Sequence, residues 1–263
     1  MPTIAALISP LPPPVRGWHN VAMSNFQLSP FTLAPIGIIE DGYPDKFGVP
    51  RQPGLAPSAT ATLRLLPPFD HADAVRGLEQ FSHLWLTFIF HHSPKRWTPL
   101  VRPPRLGGNA KIGVFASRAT HRPNRLGLSL VELTAIETHG GITLLLRGHD
   151  LVDGTPILDI KPYLPWADHA DNARAGFAPE PPPLRCVSFS DEARQALAEH
   201  PDGQPLARLI EEVLAQDPRP AYHRTADTSG REYGVFLRDV NVRFRALQGD
   251  DAVKIHVISI ARR

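Results

Sequence analysis

The residues best suited to chemistry form a loop near the middle of the chain, where an apolar run gives way to a segment with three arginines. The segment from Gly113 to Leu128 has the sequence GVFASRATHRPNRLGL. Arginine presents a planar fork of N–H donors that suits carboxylates and phosphates. Pro123 and Asn124 are typical turn residues, and loops between strands often carry binding groups. This segment is therefore the first candidate binding site.

The loop lies inside a block of the chain that carries one sign of charge. Residues 91–130 contain eight Lys or Arg and neither Asp nor Glu, although the whole chain has 28 basic and 26 acidic residues. Such local clustering attracts a polyanion even when the net charge is only +2. The acid-free block contains Lys95, Arg96, Arg102, Arg105, Lys111, Arg118, Arg122 and Arg125.

Composition narrows the class of protein. Apolar residues make up 42% of the chain and charged residues 21%, as in ordinary globular proteins. The single cysteine, Cys186, excludes an internal disulfide and fits a reducing compartment. No apolar run reaches the roughly 18 residues of a membrane-spanning helix. We therefore expect a soluble, cytoplasmic protein.

Several common catalytic motifs are absent from the sequence. It contains no phosphate-binding P-loop, no G-x-G-x-x-G after a strand, no H-E-x-x-H, no C-x-x-C and no G-x-S-x-G. Their absence argues against nucleotide hydrolysis, dinucleotide binding, zinc chemistry and serine-hydrolase chemistry. The neighbouring His91 and His92 do not have the usual spacing of metal ligands, so no metal is expected.

The elements around the loop are mostly short strands. Period-two alternation and turn residues predict strands over residues 31–40, 60–65, 83–90, 111–115, 128–136, 142–147 and 155–160, with a helix over 72–81. This spacing predicts a mainly β fold, a barrel or a sandwich, for residues 31–169. Residues 1–30 are interpreted as a disordered or artefactual extension.

A second domain is predicted after a linker. Residues 170–184 are rich in Ala, Pro and Glu, which is typical of a linker. Helices are predicted over 191–199 and 205–215, and strands over 233–238, 240–246 and 253–260. Residues 185–263 therefore form a small C-terminal α+β domain.

Four polar clusters follow apolar runs, and loops at one rim of a barrel can converge into a pocket. The clusters lie at residues 46–52, 91–92, 118–125 and 153–161. Each also has a structural explanation when taken alone. Arg118, for example, could pair with Asp150 or Asp153, and Asp159 with Lys161 could form a surface ion pair worth less than about 1 kcal/mol.

The loop pattern G-V-F-A-S-R-x-x-x-R-P-N-x-x-G-L-S resembles the signature of the TsaA-like, or TrmO, family of S-adenosylmethionine-dependent tRNA methyltransferases. Similar stretches occur in order from about residue 31 to the C-terminus. They are KFGVPRQPG at 46–54, FSHLW at 81–85, DLVDGTP at 150–156, DIKPY at 159–163 and DPRPAY at 217–222. The sequence departs from the family pattern at His121 and Arg125, where an apolar or aromatic residue and a proline are expected.

The resemblance implies a single β-barrel with a small appended domain, assembled as a homodimer. It implies methylation of N6 of threonylcarbamoyl-adenosine beside the tRNA anticodon, with S-adenosylmethionine as cofactor. It also implies a set of cofactor-binding residues: Pro50, Arg51, Gln52, His91, His92, Arg118, Leu128, Asp153, Gly154, Thr155 and Pro156.

The chemistry of methyl transfer agrees with these residue types. The reaction is an in-line displacement that depends mainly on positioning, and Arg51 or Arg118 can hold the cofactor carboxylate. The target nitrogen is a weak nucleophile, so a general base would help. The candidate catalytic residues are Asp159, His91 and Asp153.

Further cations are predicted to contact the RNA. Salt-dependent binding of the anticodon stem-loop is expected from Arg122, Arg125 and Lys161, and from Arg219 and Tyr222 of the C-terminal domain. Deleting everything after Ala178 is expected to weaken tRNA binding and to leave cofactor binding. The alternatives are a non-catalytic RNA-binding barrel and a barrel methyltransferase that acts on a small molecule.

Overall fold

Twelve strands and three α-helices build the part of the chain that the computed structural model describes, which is residues 32–107, 109–220, 223, 230–249 and 252–263. The extension predicted at residues 1–30 lies outside this part. The strands are β1 (Gly37–Glu40), β2 (Thr60–Leu65), β3 (His83–Ile89), β4 (Leu100–Val101), β5 (Ile112–Gly113), β6 (Leu126–Glu137), β7 (Thr143–Arg147), β8 (Pro156–Pro162), β9 (Val187–Phe189), β10 (Glu232–Leu237), β11 (Val240–Gln248) and β12 (Val253–Arg262). The helices are α1 (Pro165–Asp168), α2 (Asp191–Glu199) and α3 (Gly203–Ala215). Among these described residues, no helix is long and apolar enough to cross a membrane.

Six strands close into a barrel in the order β1-β2-β7-β6-β3-β8, and every neighbouring pair is antiparallel. Successive side chains of a strand point to opposite faces, so apolar residues at every second position fill the interior. In β3, Leu84, Leu86 and Phe88 are buried, and in β2, Leu63 is fully buried. The barrel confirms the predicted mainly β fold.

The C-terminal region forms an α+β layer structure. Its sheet has the order β10-β11-β12-β9, with β9 parallel to β12 and the other pairs antiparallel. The apolar face predicted for α3 is buried, and Leu206, Ile210 and Leu214 share a core with Phe244 of the sheet. The predicted α+β character is confirmed.

Two predicted elements are wrong in detail. The predicted helix over 72–81 is two short 3-10 turns, because Gly77 between them has a φ of 87° and interrupts helical geometry. The strand predicted over 111–115 is only the two-residue β5, which pairs with β4 outside the barrel. Phe115, which a buried strand would have enclosed, is 75% exposed.

The loop between β1 and β2 is built into the core of the C-terminal region. Tyr43, Ala56 and Ala59 are buried in the same cluster as the apolar residues of α3 and the C-terminal sheet. Phe47 and Val49 pack against this cluster. The segment that contains the predicted cofactor residues 50–52 is therefore held at both ends by apolar burial.

Polar contacts with α3 reinforce this packing. The backbone N–H and the hydroxyl of Ser58 both donate to Glu212 Oε2, at 2.8 and 2.6 Å. Gln216 Nε2 donates to the carbonyl of Leu55 at 3.0 Å. Residues 34–263 accordingly form one compact unit.

Gly48 and Gly54 form a matched pair for testing this packing. Both have a positive φ, 93° and 77°, so alanine strains the backbone at either position by about 1–2 kcal/mol. A Cβ on Gly48 would also lie 2.3 Å from Val235 Cγ2, whereas one on Gly54 would have nothing within 4 Å. In urea titrations we expect Gly48→Ala to lower the free energy of unfolding by about 1–3 kcal/mol more than Gly54→Ala.

A second substitution separates the steric contact from backbone strain. Val235→Ala removes the methyl group that the new Cβ would meet, so Gly48→Ala should cost less in that background. Equal losses from Gly48→Ala and Gly54→Ala would show that the loop does not press on the C-terminal sheet.

Candidate active site

The turn at Asp153–Gly154 is fixed against the beginning of the β1–β2 loop. The Asp153 N–H donates to the Tyr43 carbonyl at 2.9 Å, and the Gly154 N–H donates to the Ile39 carbonyl at 2.8 Å. In the other direction, the Gly42 N–H donates to Asp153 Oδ1 at 3.3 Å. Gly154 allows this turn because its φ is 73°. The predicted cofactor turn and the predicted cofactor loop are therefore structurally joined.

His91 and His92 follow the end of β3, and the His91 ring lies near this turn. Their ring centroids are 3.9 Å apart, and Lys46 Nζ donates to the His92 carbonyl. His91 Nε2 would lie 3.9 Å from a Cβ placed on Gly154. Burial lowers the pKa of His91 first, and the charges of His92 and Lys46 lower it further. His91 is therefore neutral at pH 7 and has a nitrogen lone pair available.

Arg118 connects the central loop to the β1–β2 loop. Its Nη1 donates to Gln52 Oε1, and Gln52 Nε2 donates in turn to the Arg51 carbonyl. Arg118 and Arg51 are exposed, and Gln52 is half-buried. Three predicted cofactor residues from two distant segments thus lie together, with a guanidinium open to an anionic ligand.

Asp150 is a member of this site that sequence reasoning considered only as a partner for Arg118. Ser129 Oγ donates to Asp150 Oδ1 at 2.5 Å. Burial raises the pKa of Asp150 to about 6, which outweighs the lowering by the Ser129 hydrogen bond and by the charge of Arg118. The charge of Arg118 acts on this carboxyl group, so Asp150 lies within electrostatic range of the guanidinium. A carboxyl group with this pKa can change protonation state near neutral pH.

His149, the neighbour of Asp150, is structural. It is 2% exposed, and burial lowers its pKa to about 4, so the ring is neutral. Nδ1 accepts from the Leu151 N–H at 3.2 Å, which leaves Nε2–H to donate to the Thr60 carbonyl, also at 3.2 Å. These two bonds fix the chain on both sides of Asp150.

Asp159, Lys161 and Leu128 lie on the outer face of the barrel, whereas Thr155 is 3% exposed. Leu84 and Leu86 of β3 point inward, so their neighbours Trp85 and Thr87 point outward. Thr87 is paired with Asp159 on one side and with Leu128 on the other, and Trp85 is paired with Lys161. Asp159 therefore belongs to a row that crosses β8, β3 and β6, and no described hydrogen bond joins it to the cluster at the turn. Leu128, in the same row, is 57% exposed.

Arg122 stabilises the central loop itself. Its Nη1 donates to the Ser117 carbonyl at 2.8 Å and to the Val114 carbonyl at 3.2 Å, and its guanidinium lies 5.9 Å from the Phe115 ring centroid. Arg122 is only half-exposed. Its side chain therefore closes the loop, a role that the sequence did not indicate.

Arg125 is the last residue of the central loop before β6. It has a φ of 53°, and its carbonyl accepts from the Phe90 N–H at 2.8 Å. The proline that the family pattern places here could not adopt that φ, because its ring fixes φ near −65°. The loop thus has its own local geometry at one of the two positions where the sequence departs from the pattern.

The two RNA contacts predicted in the C-terminal region have different outcomes. Arg219 is 3% exposed and forms a forked pair with Asp217, at 2.7 and 2.9 Å. A buried, paired guanidinium does not present itself to RNA, and we leave Arg219 out of the RNA surface. Tyr222 lies outside the described residues. Over the described part of the chain, no three His, Cys, Asp or Glu side chains are grouped to hold a metal ion.

Comparison with known proteins identifies the family. The family model described as tRNA-methyltransferase O N-terminal domain matches residues 38–169, and the one described as TrmO C-terminal domain matches residues 181–263. The chain is 51% identical over 222 residues to the tRNA (adenine(37)-N6)-methyltransferase of Escherichia coli (strain K12), covering 83% of this chain and 94% of that protein. It is 51% identical over 170 residues to the protein of the same name from Eikenella corrodens, covering 64% of this chain and 93% of that protein. A crystal structure of TrmO from Pseudomonas aeruginosa matches with a TM-score of 0.73 at 45% identity, covering 89% of this chain and 99% of that one. The chain therefore belongs to the TrmO family, as its central loop predicted.

Proposed function

We propose that this protein transfers a methyl group from S-adenosylmethionine to N6 of an adenine next to the tRNA anticodon, with threonylcarbamoyl-adenosine as the target nucleoside. The proposal rests on two contacts between segments that are distant in the sequence: His91 lies beside the Asp153–Gly154 turn, and Arg118 binds Gln52. His91 and Arg118 both belong to the acid-free segment 91–130. The names of the relatives, tRNA (adenine(37)-N6)-methyltransferase, support the same reaction. They do not favour a non-catalytic RNA-binding barrel or a small-molecule methyltransferase.

The residues of the cluster suit this cofactor. S-adenosylmethionine supplies an electrophilic methyl group on a sulfonium. The guanidinium of Arg118, oriented by Gln52, is suited to its carboxylate. The exposed carboxylate of Asp153 is suited to the positive sulfonium. Leu128, which the resemblance also assigns to the cofactor, lies in the outer row of the barrel with Asp159. Holding both reactants in place is the main contribution that a protein makes to such a displacement.

His91 is our first candidate for the proton acceptor. Methylation replaces the hydrogen on the target nitrogen, so one proton must leave. His91 is neutral because burial, His92 and Lys46 lower its pKa, and it faces the Asp153–Gly154 turn. Asp153 is the second candidate. Asp159 lies on the outer face of the barrel and is the weakest of the three.

We also propose that the protein acts in the cytoplasm as a homodimer. Leu126 and Leu128 point outward from β6 and are 37% and 57% exposed, and Phe115 is 75% exposed. Exposed apolar side chains such as these are available for contact with a second copy of the chain. The acid-free block would contact the anticodon stem-loop through its phosphates.

The reaction can be tested directly with purified protein. Incubation with S-adenosylmethionine and tRNA that carries threonylcarbamoyl-adenosine should add one methyl group to that nucleoside, measured by mass spectrometry of digested tRNA. Arg118→Ala should abolish most of the product because it removes the anion-binding guanidinium. Arg147→Ala is a matched control, since Arg147 is paired with Glu132 on the barrel surface. Unmodified nucleoside after incubation with cofactor-bound protein would refute the proposal.

The role of His91 predicts a split between rate and affinity. His91→Gln should lower kcat by roughly 100-fold, as expected for loss of a general base, and should change the KM for S-adenosylmethionine little. Asp159→Asn should retain nearly full kcat. Because the pKa of His91 lies below its usual value of 6.5, the wild-type rate should persist as pH falls through 6.5 and decline only below it. A decline centred above pH 6.5 would assign the proton to another group.

Asp150 predicts a pH dependence of stability. Its folded pKa of about 6 exceeds its ordinary value of 3.8, so the folded protein retains a proton that the unfolded chain has lost between these pH values. Stability contributed by this group therefore falls as pH rises from about 4 to 6, by at most about 3 kcal/mol. Asp150→Asn should remove this loss, measured as the difference in unfolding free energy between pH 4.5 and 7.5.

Ser129→Ala provides the opposite change. Without the hydroxyl that stabilises the carboxylate, the pKa of Asp150 should rise further, and the loss of stability toward neutral pH should become larger. If both variants showed the wild-type pH dependence, Asp150 would not be a buried titrating group.

A further inference from the structure

An open pocket of about 330 Å³ lies on the β4–β5 hairpin, outside the cluster described above. Its polar wall consists of Arg96, Arg102, Lys111 and His121, and its apolar wall includes Leu100 and Val101. This volume is at the lower end of the range of about 300–1,000 Å³ for ligand sites. Cations around an apolar surface are suited to a ligand that has both an anionic and an apolar part.

Three cations of the pocket have no polar partner among the residues that the structure describes. Within the described part of the chain, Arg96, Arg102 and Lys111 form no ion pair and no side-chain hydrogen bond. Arginines elsewhere on the barrel surface are paired, for example Arg64 with Glu40 and Arg147 with Glu132, both within 2.6 Å. Three like charges around one depression repel one another, so an anion from outside the protein would relieve their repulsion.

The hairpin holds this pocket beside the candidate active site. The Val114 N–H donates to the Pro99 carbonyl at 2.9 Å, which fixes the hairpin to the central loop. Ala119 contributes to the pocket wall and directly follows Arg118, whose guanidinium belongs to the cofactor cluster. A ligand in the pocket is therefore a close neighbour of whatever reacts at that cluster.

We propose that this pocket binds one nucleotide of the tRNA loop next to the target base, with its phosphate on Arg96, Arg102 and Lys111 and its sugar or base against Leu100 and Val101. The inference rests on the proposed function and refines it. It assigns phosphate binding to a defined subsite, whereas the proposed function invoked only a diffuse attraction of the tRNA to the whole acid-free block. Leu100 is 51% exposed, so an apolar surface is available to the nucleotide. Arg105 belongs to the same block but does not line the pocket.

The test compares pocket and non-pocket cations by tRNA binding at several salt concentrations. Arg102→Ala and Lys111→Ala should each weaken binding roughly tenfold and lower the slope of log K against log salt by about 0.7–0.9, the value for one lost phosphate contact. Arg105→Ala should have a smaller effect. Arg174→Ala, in the linker, removes an exposed arginine away from the block and serves as the matched control.

Leu100→Ala distinguishes a nucleotide from a bare phosphate. It should weaken tRNA binding several-fold without changing the salt slope, because it removes apolar contact and no charge. Unchanged affinity for Leu100→Ala, or equal losses for Arg102→Ala and Arg105→Ala, would overturn the subsite in favour of diffuse attraction.

Measurements of cofactor binding and of methylation distinguish failure of this inference from failure of the proposed function. All the variants should bind S-adenosylmethionine with wild-type affinity in calorimetry, which also shows that they are folded. If the wild-type protein methylates tRNA while the pocket variants bind it like Arg174→Ala, the subsite fails and the proposed function stands. A wild-type protein that binds no S-adenosylmethionine and leaves tRNA unmodified would refute the proposed function itself.

Discussion

The structure depends on one piece of apolar burial, the enclosure of the β1–β2 loop in the core of the C-terminal region. Tyr43, Ala56 and Ala59 are almost inaccessible there, and fully burying one large apolar side chain is worth about 1.5–3 kcal/mol. Ordering a loop of this length costs conformational entropy, and without this apolar burial little would offset that cost. Because Arg51 and Gln52 lie between these buried ends, the C-terminal region helps to fix the loop that we propose binds the cofactor. The expectation that deleting everything after Ala178 would leave cofactor binding intact therefore conflicts with the packing.

The arginines divide into those that complete the fold and those that remain open to a ligand. Arg219 is buried against Asp217, and Arg122 donates to carbonyls of its own loop. Such pairing satisfies the guanidinium and restricts its motion. Arg96 and Arg102 are exposed, form no ion pair with the residues that the structure describes, and belong to a segment without Asp or Glu. Because residues 91–130 contain no Asp or Glu, no carboxylate of this segment can pair with its cations. The positive charges therefore remain available at the surface.

The sequence predicted the regular elements better than the site. Strands β3, β7 and β10 were predictable because alternate residues enter a core, and α3 because its apolar residues lie on one face. The two-residue strands β4 and β5 are too short to show a period. The raised pKa of Asp150 and the burial of Arg219 were not predictable, because desolvation depends on neighbours that are distant in the sequence. The family pattern did indicate that Gln52, His91, Arg118 and Asp153 belong to one site, and contacts place Gln52 with Arg118 and His91 beside the turn at Asp153.

Two neighbouring residues of β6 break the usual rule of apolar interior and polar exterior. Ser129 points into the barrel, is 1% exposed and bonds to Asp150, whereas Leu128 points outward and is 57% exposed. Each arrangement costs stability relative to the reverse pattern, since the Ser129 hydroxyl is desolvated and the exposed Leu128 buries little apolar area. Flanking residues of the same strand, Gly127 and Val131, obey the rule, with Gly127 packed against the Phe88 ring. The outer face of β6 carries a second exposed leucine, Leu126, at 37% exposure, so the apolar exterior extends over the beginning of the strand. Ser129 therefore supports the Asp150 carboxyl on the inner side of β6, while Leu126 and Leu128 leave an apolar surface on its outer side.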